Sequence, residues 1–209
     1  MEQLSRKERE KKRKREEILT AALSVFAQKG YHGATMAEIS QVSEYPLGTI
    51  YKFFQGKEQI YHEMIRETGV ALGDILLNII ENDDCSPIDQ IKKCFNEYIQ
   101  YGIEKRDYFL IYNSQRSSID AVLVPNINKS INKLHNKMNE LLADIFEKGI
   151  EQGQFKSHST AEMAHVFSSV VFSTIWMLIG EHESVETERL DNLFAIFMEG
   201  ICVECTTHT

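Results

Sequence analysis

At 209 residues with a 43% apolar share, the chain is long enough for one large domain or two unequal ones around a real core. Only three prolines stand among abundant Ala, Leu, Ile, Glu and Lys, so an all-α protein is expected: Pro removes an intrahelical donor, whereas those residues lose little freedom in a helix. The net charge of −8 is unevenly spread, with eleven basic against eight acidic side chains in residues 1–62 and twelve against twenty-three in 63–209; the first segment can approach a polyanion that would repel the second.

The basic start MEQLSRKEREKKRKREE is followed by no apolar signal region. The longest apolar stretch, 166–180, is about 15 residues and includes Ser168, Ser169, Ser173 and Thr174, short of the roughly 20 that span a bilayer. A cytoplasmic location without membrane association is therefore expected. Cys85, Cys94, Cys202 and Cys205 are then read as reduced thiols.

In chain order, Arg6 to Glu17 holds eight basic residues. It reads either as a flexible arm gripping phosphates or a minor groove, or as a solvated helical extension whose glutamates pair with cations at i, i+4. Ile18, Leu19, Ala22, Val25 and Phe26 form a helical stripe that stops at Gly30, a residue suited to the C′ position. Thr35 with Glu38 makes a capping box before a helix at 36–43. A short helix over 47–54 follows, and Gly56-Lys57 opens a longer one to about Asn82. Ser86 and Pro87 start a helix to about Glu104. Further helices are predicted at 107–115, about 126–152, 160–180 behind Ser159, and 185–205 behind Ser184, which makes nine. Two domains are expected: a helix-turn-helix unit with its basic extension at 1–62 and a regulatory unit at 63–209.

Helices at 36–43 and 47–54 braced by 18–29 have helix-turn-helix dimensions. The residues Ile18-Leu19, Ala21-Ala22, Phe26, Gly30-Tyr31, Thr35, Ile39, Gly48-Thr49-Ile50-Tyr51, Phe54 and Lys57-Glu58 closely resemble the DNA-binding domain of the tetracycline-repressor (TetR) family. The resemblance implies that Thr35 and Lys57, at helix N-termini, meet phosphates, and that Tyr51 does so through its hydroxyl. It implies that Leu47, Thr49 and Lys52 face the major groove, where Leu47 can meet a thymine methyl. Two departures affect operator sequence and affinity: Glu44 stands where the family has a turn glycine, and Pro46 where it has a serine cap.

Aromatic residues crowd the later helices. Tyr98, Tyr101, Tyr112 and Trp176 carry hydrogen-bonding tips suited to an apolar ligand pocket, to which Phe172 and the adaptable Met138 add lining. Helices 160–180 and 185–205 are apolar over much of their circumference. They are read as the homodimer interface, a four-helix bundle with the symmetry mate, as the resemblance also implies. Cys202, Cys205 and His208 lack a fourth ligand, so no metal is expected. No catalytic motif or phosphate loop is present, so neither an enzyme nor a cofactor is expected. The reading is a regulator, foremost a repressor, that leaves operator DNA when a small, largely apolar effector binds. Activator action, or a scaffold that has lost DNA binding, stays open.

Overall fold

The computed structural model describes residues 5–82, 85–116, 125–181 and 187–202. Nine α-helices occur among the described residues: α1 (Arg6–Gly33), α2 (Met36–Ser43), α3 (Leu47–Ile50), α4 (Lys57–Asn82), α5 (Pro87–Glu104), α6 (Arg106–Arg116), α7 (Pro125–Glu151), α8 (Thr160–Glu181) and α9 (Thr187–Ile201). Apart from one bridge between Phe155 and Cys202, they show no strand pairing.

Local chemistry explains the starts. The Ser5 hydroxyl accepts from the Glu8 N–H while the Glu8 carboxylate accepts the Ser5 N–H, and Thr35 and Glu38 repeat this box at α2. Ser86 caps α5 with Pro87 in its first turn, and the Ser159 hydroxyl accepts the Glu162 N–H at 3.4 Å.

Four boundaries depart from the sequence pattern. The segment before Ile18 is helix rather than flexible arm, carrying the pairs Glu10–Lys14, Lys12–Glu16 and Arg13–Glu17; alternating charges at i, i+4 support a helix that no core holds. Gly30, at φ 68°, kinks α1 without ending it, and one more turn follows before the Ala34 N–H bonds the Gly30 carbonyl at 3.2 Å. Regular α3 ends at Ile50, and the chain continues to Phe54 as turns. Finally, α9 ends at Ile201, with Cys202 drawn into the bridge with Phe155; the predicted extension through 203–205 and the Ser184 start lie outside the described residues.

Two compact units make up the chain. One comprises Met1–Thr68 and Asp107–Ser130, the other Gly69–Arg106 and Ile131–Thr209. The sequence boundary at 62/63 instead keeps 107–130 with the second domain. Inside the first unit, the buried Tyr61 hydroxyl donates to the Ile111 carbonyl at 3.2 Å, tying α6 to the start of α4.

The core of the first unit is built by Ile18, Leu19, Ala22, Val25 and Phe26 of α1 with Ile39, Ile50, Phe54, Ile60 and Met64. In the second unit Phe95, Phe146, Phe167, Phe194 and Phe197 form a chain of ring contacts with centroids 5.4–6.4 Å apart. Gly102 brings α5 close to α8, since a Cβ there would stand 2.6 Å from the Ile175 side chain. The 21 residues Thr160–Gly180 contain an 18-residue window of mean hydropathy 1.6, which by length and composition is enough to cross a membrane. By this measure the span is longer than the 15-residue stretch read from the sequence, because it takes in Glu162 and His165. One side of it, through Ala164, Phe167, Val171, Ile175 and Leu178, is core of the second unit.

Candidate functional site

The element α2–turn–α3 is held on α1 from below and left open above. Ile39, Ile50 and Phe54 are buried, whereas Leu47, Tyr51 and Lys52 are exposed, Tyr51 at 51%. Burying the i and i+3/i+4 positions of such a short element orients the remaining side chains outward. Pro46 offers α3 no side-chain cap; its carbonyl instead accepts the N–H groups of Thr49 and Ile50 at 2.7 and 3.2 Å. Glu44 occupies the left-handed region at φ 58°, ψ 16°, a conformation costing a side-chain-bearing residue about 1–2 kcal/mol relative to Gly. The turn thus takes the left-handed conformation with a glutamate where the resemblance implies a glycine.

Contacts from outside the turn stabilise that shape. Ser40 Oγ donates to the Tyr45 carbonyl at 2.7 Å, and the Tyr45 phenol donates to the Glu17 carboxylate of α1. Arg15 bridges Glu63 and Glu67 of α4 at 2.8 and 2.7 Å and lies over the Phe54 ring. The roles of Glu17, Tyr45 and Arg15 had no sequence signal, because their partners lie 28 to 52 residues away. The Tyr45 hydrogen bond holds Glu17 below the usual carboxylate range, and Lys29 with Thr35 does the same for Glu38. Both are depressed acids, so the stability they lend is present above the unfolded carboxylate pKa and fades as pH falls through their lower folded values.

The predicted phosphate contacts stand differently from one another. Tyr51 is open to solvent, with Thr49 half-buried beside it. Thr35 gives both its N–H and its hydroxyl to the Glu38 carboxylate, each at 2.9 Å. Lys57 is turned inward: its ammonium donates to the carbonyls of Tyr31, His32 and Ala34 at 2.9, 3.2 and 3.0 Å and sits 4.8 Å from the Tyr31 ring centroid. It therefore closes the end of α1, using the three hydrogens of the ammonium.

The pocket candidates are likewise spread. Tyr98 on α5 is buried at 5% exposure, and its hydroxyl is the one buried side-chain oxygen or nitrogen without a hydrogen-bond partner among the described residues. Burial pushes its pKa upward. Tyr101, Met138 and Phe172 are half-buried, while Trp176 is 49% exposed on the outer side of α8 and so lies on the surface instead of lining a cavity. The side chain of Tyr112 lies outside the described residues.

An orphaned buried hydroxyl costs about 1–3 kcal/mol. Tyr98→Phe is accordingly expected to leave the ligand-free protein as stable or more stable, by up to about 3 kcal/mol, in chemical denaturation. A loss of more than about 1 kcal/mol, the typical net worth of one hydrogen bond, would mean that the hydroxyl has a protein partner.

Comparison with known proteins matches both parts of the chain. The family of bacterial regulatory proteins, tetR family, matches residues 18–64, and the QacR-like protein, C-terminal region, matches residues 87–203. The HTH-type transcriptional regulator YvkB of Bacillus subtilis strain 168 is 23% identical over 191 residues, 90% of this chain and 96% of that protein. The biofilm operon negative regulator IcaR of Staphylococcus aureus strain Newman is 23% identical over 191 residues, 88% and 99% of the two chains. The transcriptional regulator FadR of Bacillus subtilis, solved in complex with stearoyl-CoA, superposes with a TM-score of 0.72 at 16% identity, covering 88% of this chain and 97% of that one. With both its helix-turn-helix and the greater part of its remaining length matched, the chain belongs to the TetR family of helix-turn-helix transcriptional regulators.

Proposed function

We propose that this regulator is a cytoplasmic repressor that binds operator DNA as a homodimer through α3 and leaves it when a small, largely apolar molecule enters the second unit. The observation that carries the reading is the outward face of Leu47, Tyr51 and Lys52 over the buried Ile50 and Phe54, behind a turn that is left-handed at Glu44. In this reading Leu47, Thr49 and Lys52 meet base edges, and the Tyr51 hydroxyl and the α2 N-terminus at Thr35 meet phosphates. Lys57 contributes by fixing the end of α1 beneath them.

Repression follows the negative regulator IcaR, and an acyl ligand in FadR favours an apolar effector. Tyr98, with Tyr101, Phe172 and Met138 on α5, α8 and α7, is our candidate set for its lining. A buried hydroxyl awaiting a partner suits an effector that is mostly apolar with one hydrogen-bonding group. Homodimerisation uses the exposed sides of α8 and α9.

Genomic DNA pull-down with the purified protein, followed by sequencing, tests the reading. Enrichment of one palindromic sequence, with half-sites about one helical turn apart, is expected for a two-fold dimer. Recovery with no sequence preference would overturn sequence-specific regulation. A duplex carrying the recovered site, titrated with acyl and aromatic compounds found by thermal shift, should lose affinity roughly 5- to 150-fold.

A further inference from the structure

We propose that the N-terminal extension of α1 is a second DNA-binding element, in which Arg6 and Arg9, on the helix face that Arg13 continues toward the core, grip backbone phosphates flanking the site read by α3. The proposal rests on the DNA-binding reading of α3.

Arg6 through Glu17 precede Ile18, the first buried residue of α1, so no core requires this helix. Its acids are occupied locally: Glu8 in the Ser5 cap, Glu10 by Lys14, Glu16 by Lys12, and Glu17 by Arg13 and the Tyr45 phenol. Arg6, Lys7, Arg9 and Lys11 form no ion pair among the described residues. A helix with four cations outside its ion pairs and no apolar face fits a polyanion better than a protein surface.

Position selects among those cations. Residues at i, i+3 and i+7 share a helix face, which aligns Arg6, Arg9 and Arg13. Arg13 lines a surface groove together with Glu16 and Glu17 of α1, both already paired, and with Ser43, Glu44 and Tyr45 where α2 turns toward α3. The row therefore begins beside that turn and runs outward from it. Lys7 and Lys11 lie on the opposite side, in register with Arg15, which faces Glu63 and Glu67 of α4.

The row also has a fixed base. The Tyr45–Glu17 hydrogen bond and the Arg15 bridge anchor the helix where it leaves the core, so the arginines meet DNA without the ordering cost of a disordered arm. From Arg6 to Arg13 the helix rises about 10 Å at 1.5 Å per residue. Laid along the DNA axis, that length covers about three base steps at 3.4 Å of axis each.

Full-length protein is titrated with a labelled mixed-sequence duplex of about 30 base pairs, roughly three helical turns, over a range of salt. Two variants of equal charge are compared, Arg6→Gln/Arg9→Gln and Lys7→Gln/Lys11→Gln. Each lost phosphate contact should flatten the dependence of log K on log salt by about 0.9. The arginine pair is expected to lower the slope by about 1.8 per protomer and the lysine pair by less than half of that. Equal effects of the two pairs would reduce the extension to diffuse charge, and an unchanged slope in the arginine variant would remove it from the interface; either overturns the proposal while wild-type binding leaves the α3 reading intact. Failure of the wild type itself to bind at low salt would overturn both.

Discussion

Phe167→Ala is expected to cost the second unit about 3–5 kcal/mol, the range for truncating a fully buried aromatic. Phe167 has no exposed surface, and its ring meets those of Phe95, Phe146 and Phe197 at centroid distances of 6.4, 6.3 and 5.6 Å. These partners come from α5, α7 and α9, so the substitution opens a cavity where four helices converge. Phe95 and Phe146 are each held by a second ring, Phe194 and Phe155, so neither can collapse into it without abandoning that contact, which puts the cost at the upper part of the range. At roughly 2–4 °C per kcal/mol for a chain of this size, the melting temperature should fall by about 6–20 °C. Phe172, half-buried on the same helix, is the internal comparison and should lose much less. Urea denaturation measures both; a loss below about 1 kcal/mol for Phe167→Ala, smaller than any such buried truncation, would refute the ring cluster as the organising core.

The second large effect is expected at the surface. Trp176→Glu should weaken the homodimer by about 3 kcal/mol or more, over a hundredfold in its dissociation constant, because an unpaired carboxylate would be stranded in an apolar interface. The wide apolar faces of the last two helices point in the sequence to Val171 and Phe197 as interface positions, but these are 5% and 8% exposed within a single chain. A charge at either would disrupt the fold before it could report on assembly. The outward side of the pair instead carries Val166, Trp176 and Ile196 at 51%, 49% and 69% exposure, and Val166, Ser169, Ser173 and Trp176 recur at the spacing of one helix face. Sedimentation equilibrium with far-UV dichroism separates the possibilities. A folded monomer is the expected result, and an unchanged dimer would move the interface elsewhere.

The two kinds of misplacement have one physical origin. Helix starts at Thr35–Glu38, Ser86–Pro87 and Ser159–Glu162 are legible in the sequence because a cap is a local exchange of hydrogen bonds within four residues. The all-α class and the helix-turn-helix are legible for the same reason, with periodicity adding the buried face of α1. On α8, apolar side chains occupy the inner and outer sides alike, so periodicity could not tell Val171 from Trp176. Only the position of α5 against α8, set by Gly102 and Ile175, decides which side is core. Lys57 is similar: a lysine at the N-terminus of a long helix suggests a free cation at a phosphate, and nothing nearby reveals that the last carbonyls of α1 lie within its reach. The early end of α3 at Ile50 is not legible in this way: Gly48 lowers helix propensity within it, and the chain from Tyr51 to Phe54 continues as turns.

The inward turn of Lys57 has a mechanical consequence. Three carbonyls from Tyr31 to Ala34 and the first residue of α4 are joined by one charged group, so the junction between α1 and α2 and the head of α4 behave as a single joint. The α4 helix is 26 residues long and runs from this joint into residues of the second unit. Any twist of that rod about its own axis must either carry the α1–α2 corner with it or break three hydrogen bonds to an ammonium at once. A neutral side chain at position 57 would remove all three bonds at once and leave the head of α4 untied from that corner.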